Sequence, residues 1–206
     1  MTDNIQPNQP APKRIGEYLV CSPGTLQAAV KRQGQLLKNH KPYKLLGEIL
    51  LEQKSISEEE LTTALRKQRM ARLSQCPVFK TLSSTELVGI SNKFREITIP
   101  AEEQFIFQGD DDPTMYVIAS GKVEVYHMDI DGNKTHIAFL GPGDPIGEMA
   151  YFSGGLRTAS ARTVETSNML QAGYSALTHY FENVPHVAHA FMMLVEERRR
   201  QLEELK

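Results

Sequence analysis

The chain has 206 residues and a net charge of −2, with 23 Lys and Arg against 25 Asp and Glu. That leaves room for one domain with an appendage or two small domains, and gives no basic excess for gripping nucleic acid. Two distant cysteines, Cys21 and Cys76, exclude a disulfide framework and a zinc cluster.

No apolar run reaches the roughly 18 residues that a membrane span needs. Residues 1–12, rich in Asn, Gln and Pro, lack the apolar stretch of a secretory signal. We therefore expect a cytoplasmic, reduced protein without a membrane span. Residues 1–13 have nothing to bury and should form a disordered tail.

Residues 14–75 read as a helical module. A first helix is expected over Pro23–Lys38, carrying Leu26, Val30 and Leu36 or Leu37. Lys44–Gln53 places Leu45, Leu46, Ile49 and Leu50 on one helix face. Ser57 followed by Glu60 is a capping-box pattern, in which the hydroxyl caps a free N–H and the glutamate reaches back. The helix it opens carries Leu61, Ala64 and Leu65 and should run to about Leu73. Ser84 is expected to cap a further short helix with an apolar stripe of Leu87, Ile90 and Phe94.

The period then changes. Phe94–Pro100, Gln104–Gln108, Met115–Ser120, Lys122–His127, Lys134–Leu140, Thr158–Thr163 and Ser167–Ala172 read as short strands. Asp131-Gly132 is a hairpin signal. Many short strands between Gly, Asp and Pro turns indicate a barrel or jelly roll. Helices return at Ala176–Glu182 and, after Pro185, at His186–Lys206. The predicted class is α+β: an all-β jelly roll flanked by helices, with a small N-terminal helical module.

The stretch from Gly141 to Ser160 carries the chemistry. It reads as a Gly/Pro turn, a short helix start at Gly147–Phe152, a Gly-Gly turn and a lone arginine opening a strand. A helix start offers unpaired N–H groups to an anion. An arginine adds a planar fork of donors suited to phosphate. Glu148 would repel a phosphate, so it suits a neighbouring hydroxyl instead.

Ile146-Gly147-Glu148-Met149-Ala150-Tyr151-Phe152, followed by Leu156-Arg157-Thr158-Ala159-Ser160, resembles the phosphate-binding cassette of the cyclic-nucleotide-binding domain family. Phe107-Gln108-Gly109-Asp110, Tyr116-Val117-Ile118, Ser120-Gly121-Lys122-Val123 and Gly143-Asp144 match the flanks in type, order and spacing. The resemblance covers about residues 76–206 and implies a β-roll with C-terminal lid helices. It further implies a ligand, cAMP or cGMP with cAMP favoured, held by Gly147, Glu148, Met149, Ala150, Arg157, Thr158 and Ala159. Arg157 would pair with the cyclic phosphate and Glu148 would accept the ribose 2′-hydroxyl. Backbone N–H groups around Gly147, Ala150 and Thr158 would complete the cradle. Ile146 and Leu156 depart from the family's usual Phe and Pro.

Leu46-Gly47-Glu48-Ile49-Leu50-Leu51, with Ile56, Leu61, Ala64-Leu65 and Gln68, resembles the N-terminal helical module of type II secretion and type IV pilus ATPases. Arg14–Val20, with Leu26, Val30 and Gln33, looks like a second copy about four residues shorter. Some such modules bind cyclic di-GMP. Leu45 replaces the arginine of that motif here, so packing or protein docking is preferred.

The remaining features carry blander expectations. His186 and His189 share a helix face without further ligands, so no metal is expected. Arg198-Arg199-Arg200 lies among glutamates and reads as a solvated face, with the approach of one of the three side chains to the ligand as the alternative. Asp110-Asp111-Asp112 reads as a solvated turn. Phe191 and Leu194 are the lid candidates, and Phe191, Leu194, Val195, Leu202 and Leu205 are otherwise core or helix-pairing positions. No Walker loop, nucleophile elbow or zinc-protease motif occurs, so no enzyme is expected. The family's transcription regulators carry a helix-turn-helix after the long helix. This sequence ends inside that helix, so nucleic acid is not an expected partner. A bacterial-type sensor acting on an unidentified protein partner, with a possible homodimer, is the functional expectation. The alternative is a docking module of a secretion, pilus or cyclic di-GMP pathway with a non-binding β-roll.

Overall fold

The structure, a computed structural model, describes residues 13–39, 42 and 44–203. The tail expected over 1–13 lies outside the described residues up to residue 12, as does the end of the last helix with Leu205. The chain divides into two compact units, Met1–Gln68 and Arg69–Lys206.

The first unit is helical. A single 3-10 turn at Ile15–Glu17 precedes α1 (Pro23–Lys38), and α2 (Leu46–Glu52) leads to α3 (Glu58–Leu73). Ser57 forms the expected capping box: its Oγ accepts from Glu60 N at 3.2 Å and its N–H donates to Glu60 Oε2 at 2.7 Å. Leu19, Ala29, Ile49, Leu50, Ile56 and Ala64 form the core. Two glycines occupy corresponding places. A Cβ on Gly16 would meet Leu26 at 3.0 Å, and one on Gly47 would meet Leu61 at 2.7 Å. Each is followed by a glutamate that caps the preceding backbone, Glu17 on Arg14 N and Glu48 on Leu45 N, both at 2.8 Å. The sequence similarity of the two copies is thus matched by one local packing device used twice. Val30 and Leu45, expected on apolar faces, are 51% and 58% exposed.

The second unit is the jelly roll with its flanking helices. After α4 (Ser84–Ser91) come β1 (Arg95–Ile99), β2 (Gln104–Ile106), β3 (Thr114–Ser120), β4 (Val123–Met128), β5 (Lys134–Leu140), β6 (Pro145–Ile146), β7 (Ser160–Thr163) and β8 (Ser167–Gly173). They build two four-stranded antiparallel sheets, ordered β1-β8-β3-β6 and β2-β7-β4-β5. α5 (Tyr174–Asn183) and α6 (Pro185–Glu203) close the unit. The cap of α4 is Ser83 rather than Ser84: its Oγ accepts from Glu86 N. The strand β6 went unread because Gly141–Gly147 looks like turn throughout.

The core has two compartments. Ile99, Ile106, Tyr116, Ile118, Val123, Leu140, Ile146, Ala161 and Met169 fill the space between the sheets. Met115, Val117, Leu170 and Ala172 face the other way, onto Phe79, Ile90, Leu177, Phe181, Phe191 and Val195. β3 and β8 are therefore covered on both faces, which explains the unbroken apolar run of β3. Phe181 stacks on Phe191 at 3.9 Å between ring centroids, joining α5 to α6.

Between β3 and β4 the chain turns at Gly121, whose φ is +101°. A Cβ there would lie 2.7 Å from Ser167 Cα. Gly121→Ala combines left-handed strain with a backbone clash and should cost about 2–4 kcal/mol, read as a lowered urea midpoint.

Across the second sheet, Glu124 pairs with Arg162 Nε and Lys134 Nζ, both at 2.7 Å. Burial alone would raise the Glu124 carboxyl. Hydrogen bonds from Lys134, Arg162 and His136 outweigh burial and hold it at about 2, below its ordinary 4.5. A depressed carboxyl contributes stability above its unfolded value and loses it as pH falls through the folded one. Between about pH 4.5 and 2 the wild type should lose stability faster than Glu124→Gln, measured by urea titrations across that window.

A candidate cyclic-nucleotide cavity

Gly147 ends β6 with a φ of +88° and starts a 3-10 helix, Glu148–Tyr151, rather than the α-helical start expected from the sequence. A Cβ at Gly147 would sit 2.2 Å from Arg157 Nη1 and 2.9 Å from Thr114 O, so only glycine fits beside the arginine.

Arg157 is 3% exposed. Its backbone is held by the loop before β3: Arg157 N–H donates to Asp110 O at 2.9 Å, and Gly109 N–H donates to Arg157 O at 2.8 Å. Its guanidinium is held from three elements. Nη2 donates to Asp112 Oδ2 at 2.6 Å and to Thr114 Oγ1 at 3.0 Å, and Nη1 donates to Gly147 O at 3.2 Å. Tyr174 at the start of α5 also donates its hydroxyl to Gly147 O. Burial pushes the Tyr174 phenol up, so it stays a donor. Arg157 Nε is buried and has no hydrogen-bond partner among the described residues.

Asp112 therefore corrects the expectation of a solvated acidic turn. One carboxylate of the three serves as the counter-ion of a buried arginine. Both the sequence and its turn signals hid this, because the partner lies 45 residues away.

A small cavity opens beside this arginine. All seven residues named from the cassette line it: Gly147, Glu148, Met149, Ala150, Arg157, Thr158 and Ala159. Its apolar walls include Ile106, Val125, Ala138, Leu140 and Ile146. Ile146, in the place of the family's Phe, is a cavity wall. Leu156, in the place of the Pro, is 51% exposed and does not line it.

α6 supplies Arg198, Gln201 and Leu202 to the same cavity. Arg198 is not on a solvated face: its Nε lies 3.6 Å from Glu148 Oε1, with side chains 17% and 6% exposed. Arg199 and Arg200 are exposed, as expected. The two lid candidates fall elsewhere. Phe191 is in the core and Leu194 packs against it. The signal for Arg198 was available, since it stands three residues after buried Val195 and four before Leu202, on the stripe that Val187 and Phe191 begin.

Burial raises the Glu148 carboxyl above its usual range, against the opposing pull of Arg198 and Arg157. Cys76, fully buried nearby in the core, has its thiol pushed up to about 12 by burial and is chemically quiet.

Gln33 Nε2 donates to Lys44 O at 2.7 Å, and Gln68 Nε2 donates to Lys13 O at 3.1 Å. Both glutamines of the front repeat thus bond backbone carbonyls of their own unit. Among the described residues, no group of three His, Cys, Asp or Glu is placed to hold a metal ion. No helix among them is long and apolar enough to cross a membrane.

Residues 96–183 match the family model of the cyclic nucleotide-binding domain, and the jelly roll with its flanking helices matches the fold of that family. The chain is 31% identical over 125 residues to the cyclic AMP receptor protein of Thermus thermophilus, covering 61% of this chain and 58% of that one. The crystal structure of the Thermus thermophilus catabolite activator protein superposes with a TM-score of 0.56 at 30% identity, over 62% of this chain and 60% of that one. The regulatory domain of Toxoplasma gondii PKA, co-crystallised with cAMP, gives a TM-score of 0.52 at 25% identity, over 60% and 45%. The chain thus spans about three-fifths of the length of the bacterial relative. The family match begins at residue 96, so it lends no support to the resemblance of the front helices to secretion ATPases.

Removing Asp112 takes from a buried guanidinium the carboxylate it pairs with. Breaking a fully buried pair costs about 3–5 kcal/mol. Asp112 is 31% exposed, and solvent screening reduces that figure. Asp112→Ala should destabilise the fold by about 1–3 kcal/mol, with Asp112→Asn milder, as read by urea denaturation.

Proposed function

We propose that the second unit binds a cyclic mononucleotide, cAMP in preference to cGMP, and passes the binding event to a protein partner through α5 and α6. The observation that carries this reading is the buried Arg157, which lines a cavity and whose Nε lacks a partner among the described residues. An unpaired buried donor is costly, and an anionic oxygen in the cavity would satisfy it.

In this reading Arg157 meets the cyclic phosphate through its free Nε, while Asp112 and Thr114 hold Nη2 and the Gly147 carbonyl holds Nη1. The N–H groups of the 3-10 turn after Gly147 and of Thr158 complete the anion cradle. Glu148 accepts the ribose 2′-hydroxyl. Ile106, Val125, Ala138 and Leu140 form the apolar slot that suits a base. Met149, Ala150 and Ala159 shape the floor without adding charge. The preference for cAMP draws on the printed names of the relatives, a cyclic AMP receptor protein and a PKA regulatory domain seen with cAMP.

Signalling follows if ligand favours one posture of α6 over another, because α6 lines the cavity through Arg198, Gln201 and Leu202. The front unit, read as a separate helical domain, is the natural docking element for the protein partner.

Calorimetry with cAMP, cGMP and cyclic di-GMP tests the reading. Saturable binding of a cyclic mononucleotide is expected. Losing a buried charge partner costs about 2–5 kcal/mol, so Arg157→Ala should raise Kd at least ~30-fold. Equal Kd values for wild type and Arg157→Ala would remove Arg157 from the site.

A further inference from the structure

We propose that Tyr116 is a positioning residue for Arg157: the face of its ring backs the guanidinium and holds it in the orientation that leaves Nε to an anionic ligand. This rests on the cyclic-mononucleotide reading of the cavity. The guanidinium carbon of Arg157 lies over the Tyr116 ring, 5.9 Å from its centroid. That is within the roughly 6 Å over which a cation is drawn to an aromatic face. Asp112, Thr114 and the Gly147 carbonyl hold Arg157 by Nη1 and Nη2. Hydrogen bonds of this kind leave along the edges of the planar group. They do not support its faces, whereas an aromatic ring does.

The ring is itself held in place. Phe105 meets it edge to face at 5.4 Å between centroids. Its hydroxyl accepts from Gln171 Nε2 at 3.0 Å, and Gln171 Oε1 accepts from Arg95 Nε at 2.8 Å. Arg95, Gln171, Tyr116 and Ile146 are successive cross-strand partners on β1, β8, β3 and β6. One row of side chains therefore crosses the whole first sheet and ends at Ile146, a wall of the cavity. Tyr116 and Arg157 are both buried, the setting in which attraction between a cation and a ring is strongest. Tyr116 does not line the cavity, so it acts on a ligand through Arg157.

The test changes the electrons of the ring while nearly keeping its shape. Kd is measured by calorimetry with the better bound of cAMP and cGMP. Tyr116→Phe keeps the ring and should bind within about twofold of the wild type. A ring-fluorinated phenylalanine placed at position 116 fills almost the same space with an electron-poor face. It should raise Kd about fivefold over Tyr116→Phe. When Arg157→Ala is also present, exchanging phenylalanine for its fluorinated form should leave Kd unchanged, a dependence on the arginine that packing alone would not produce. Two outcomes overturn the proposal: equal Kd values for the plain and fluorinated rings, or a fluorine effect that persists without Arg157. Wild-type protein that binds neither cyclic mononucleotide would instead overturn the reading of the cavity, and this proposal with it.

Discussion

One buried charge organises the β-roll. Arg157 is 3% exposed, and a buried guanidinium must be surrounded by acceptors. Those acceptors come from Asp112 before β3, Thr114 at its start and the Gly147 carbonyl after β6. Satisfying Arg157 therefore pins the β3 entrance to the turn that launches Glu148. The same demand dictates the backbone of that turn, since any Cβ at Gly147 would strike Arg157 Nη1 at 2.2 Å. The arginine, the glycine and the 3-10 helix all line the cavity.

The packing of the helices serves the same place. β3 and β8 are buried on both faces, one against the opposite sheet and one against α4, α5 and α6. On α6 the stripe Val187, Phe191, Val195 is core, and its continuation, Arg198 and Leu202, lines the cavity. A single helix face thus changes from apolar packing to site chemistry within one turn. Any shift of α6 is felt both in the stack of Phe181 on Phe191 and at the ion pair with Glu148.

Much of this was legible from residues alone. Seven of the eight strands appear in the right order, because alternating apolar residues between Gly and Asp turns are a strong local signal. The eighth, Pro145–Ile146, is two residues long and lies inside a Gly/Pro run. The cassette residues, named from the family resemblance, line one cavity. What escaped were long-range partners. Asp112 looks like any turn aspartate until Arg157 is brought beside it. Arg198 looks solvated because its neighbours Glu196, Glu197 and Arg199 are, although its helical phase places it with Val195. Local chemistry is written in neighbouring letters, whereas ion pairs between distant segments are decided by topology.

The two charged groups of the cavity wall explain why the site is suited to a ligand rather than to itself. Arg157 and Glu148 are nine residues apart and line the same cavity, yet they do not pair with each other. Arg157 is tied to Asp112 and Glu148 to Arg198. Had the two joined directly, each would have consumed the other's capacity and the cavity would offer an anionic ligand nothing. With each given a separate partner, Arg157 keeps an unbonded Nε and Glu148 a carboxyl on the same cavity. In the proposed reading, a ligand that carries an anion and a hydroxyl matches that pair in sign and in hydrogen-bonding role. A simple phosphate, with no hydroxyl to give, would meet Glu148 as a like charge.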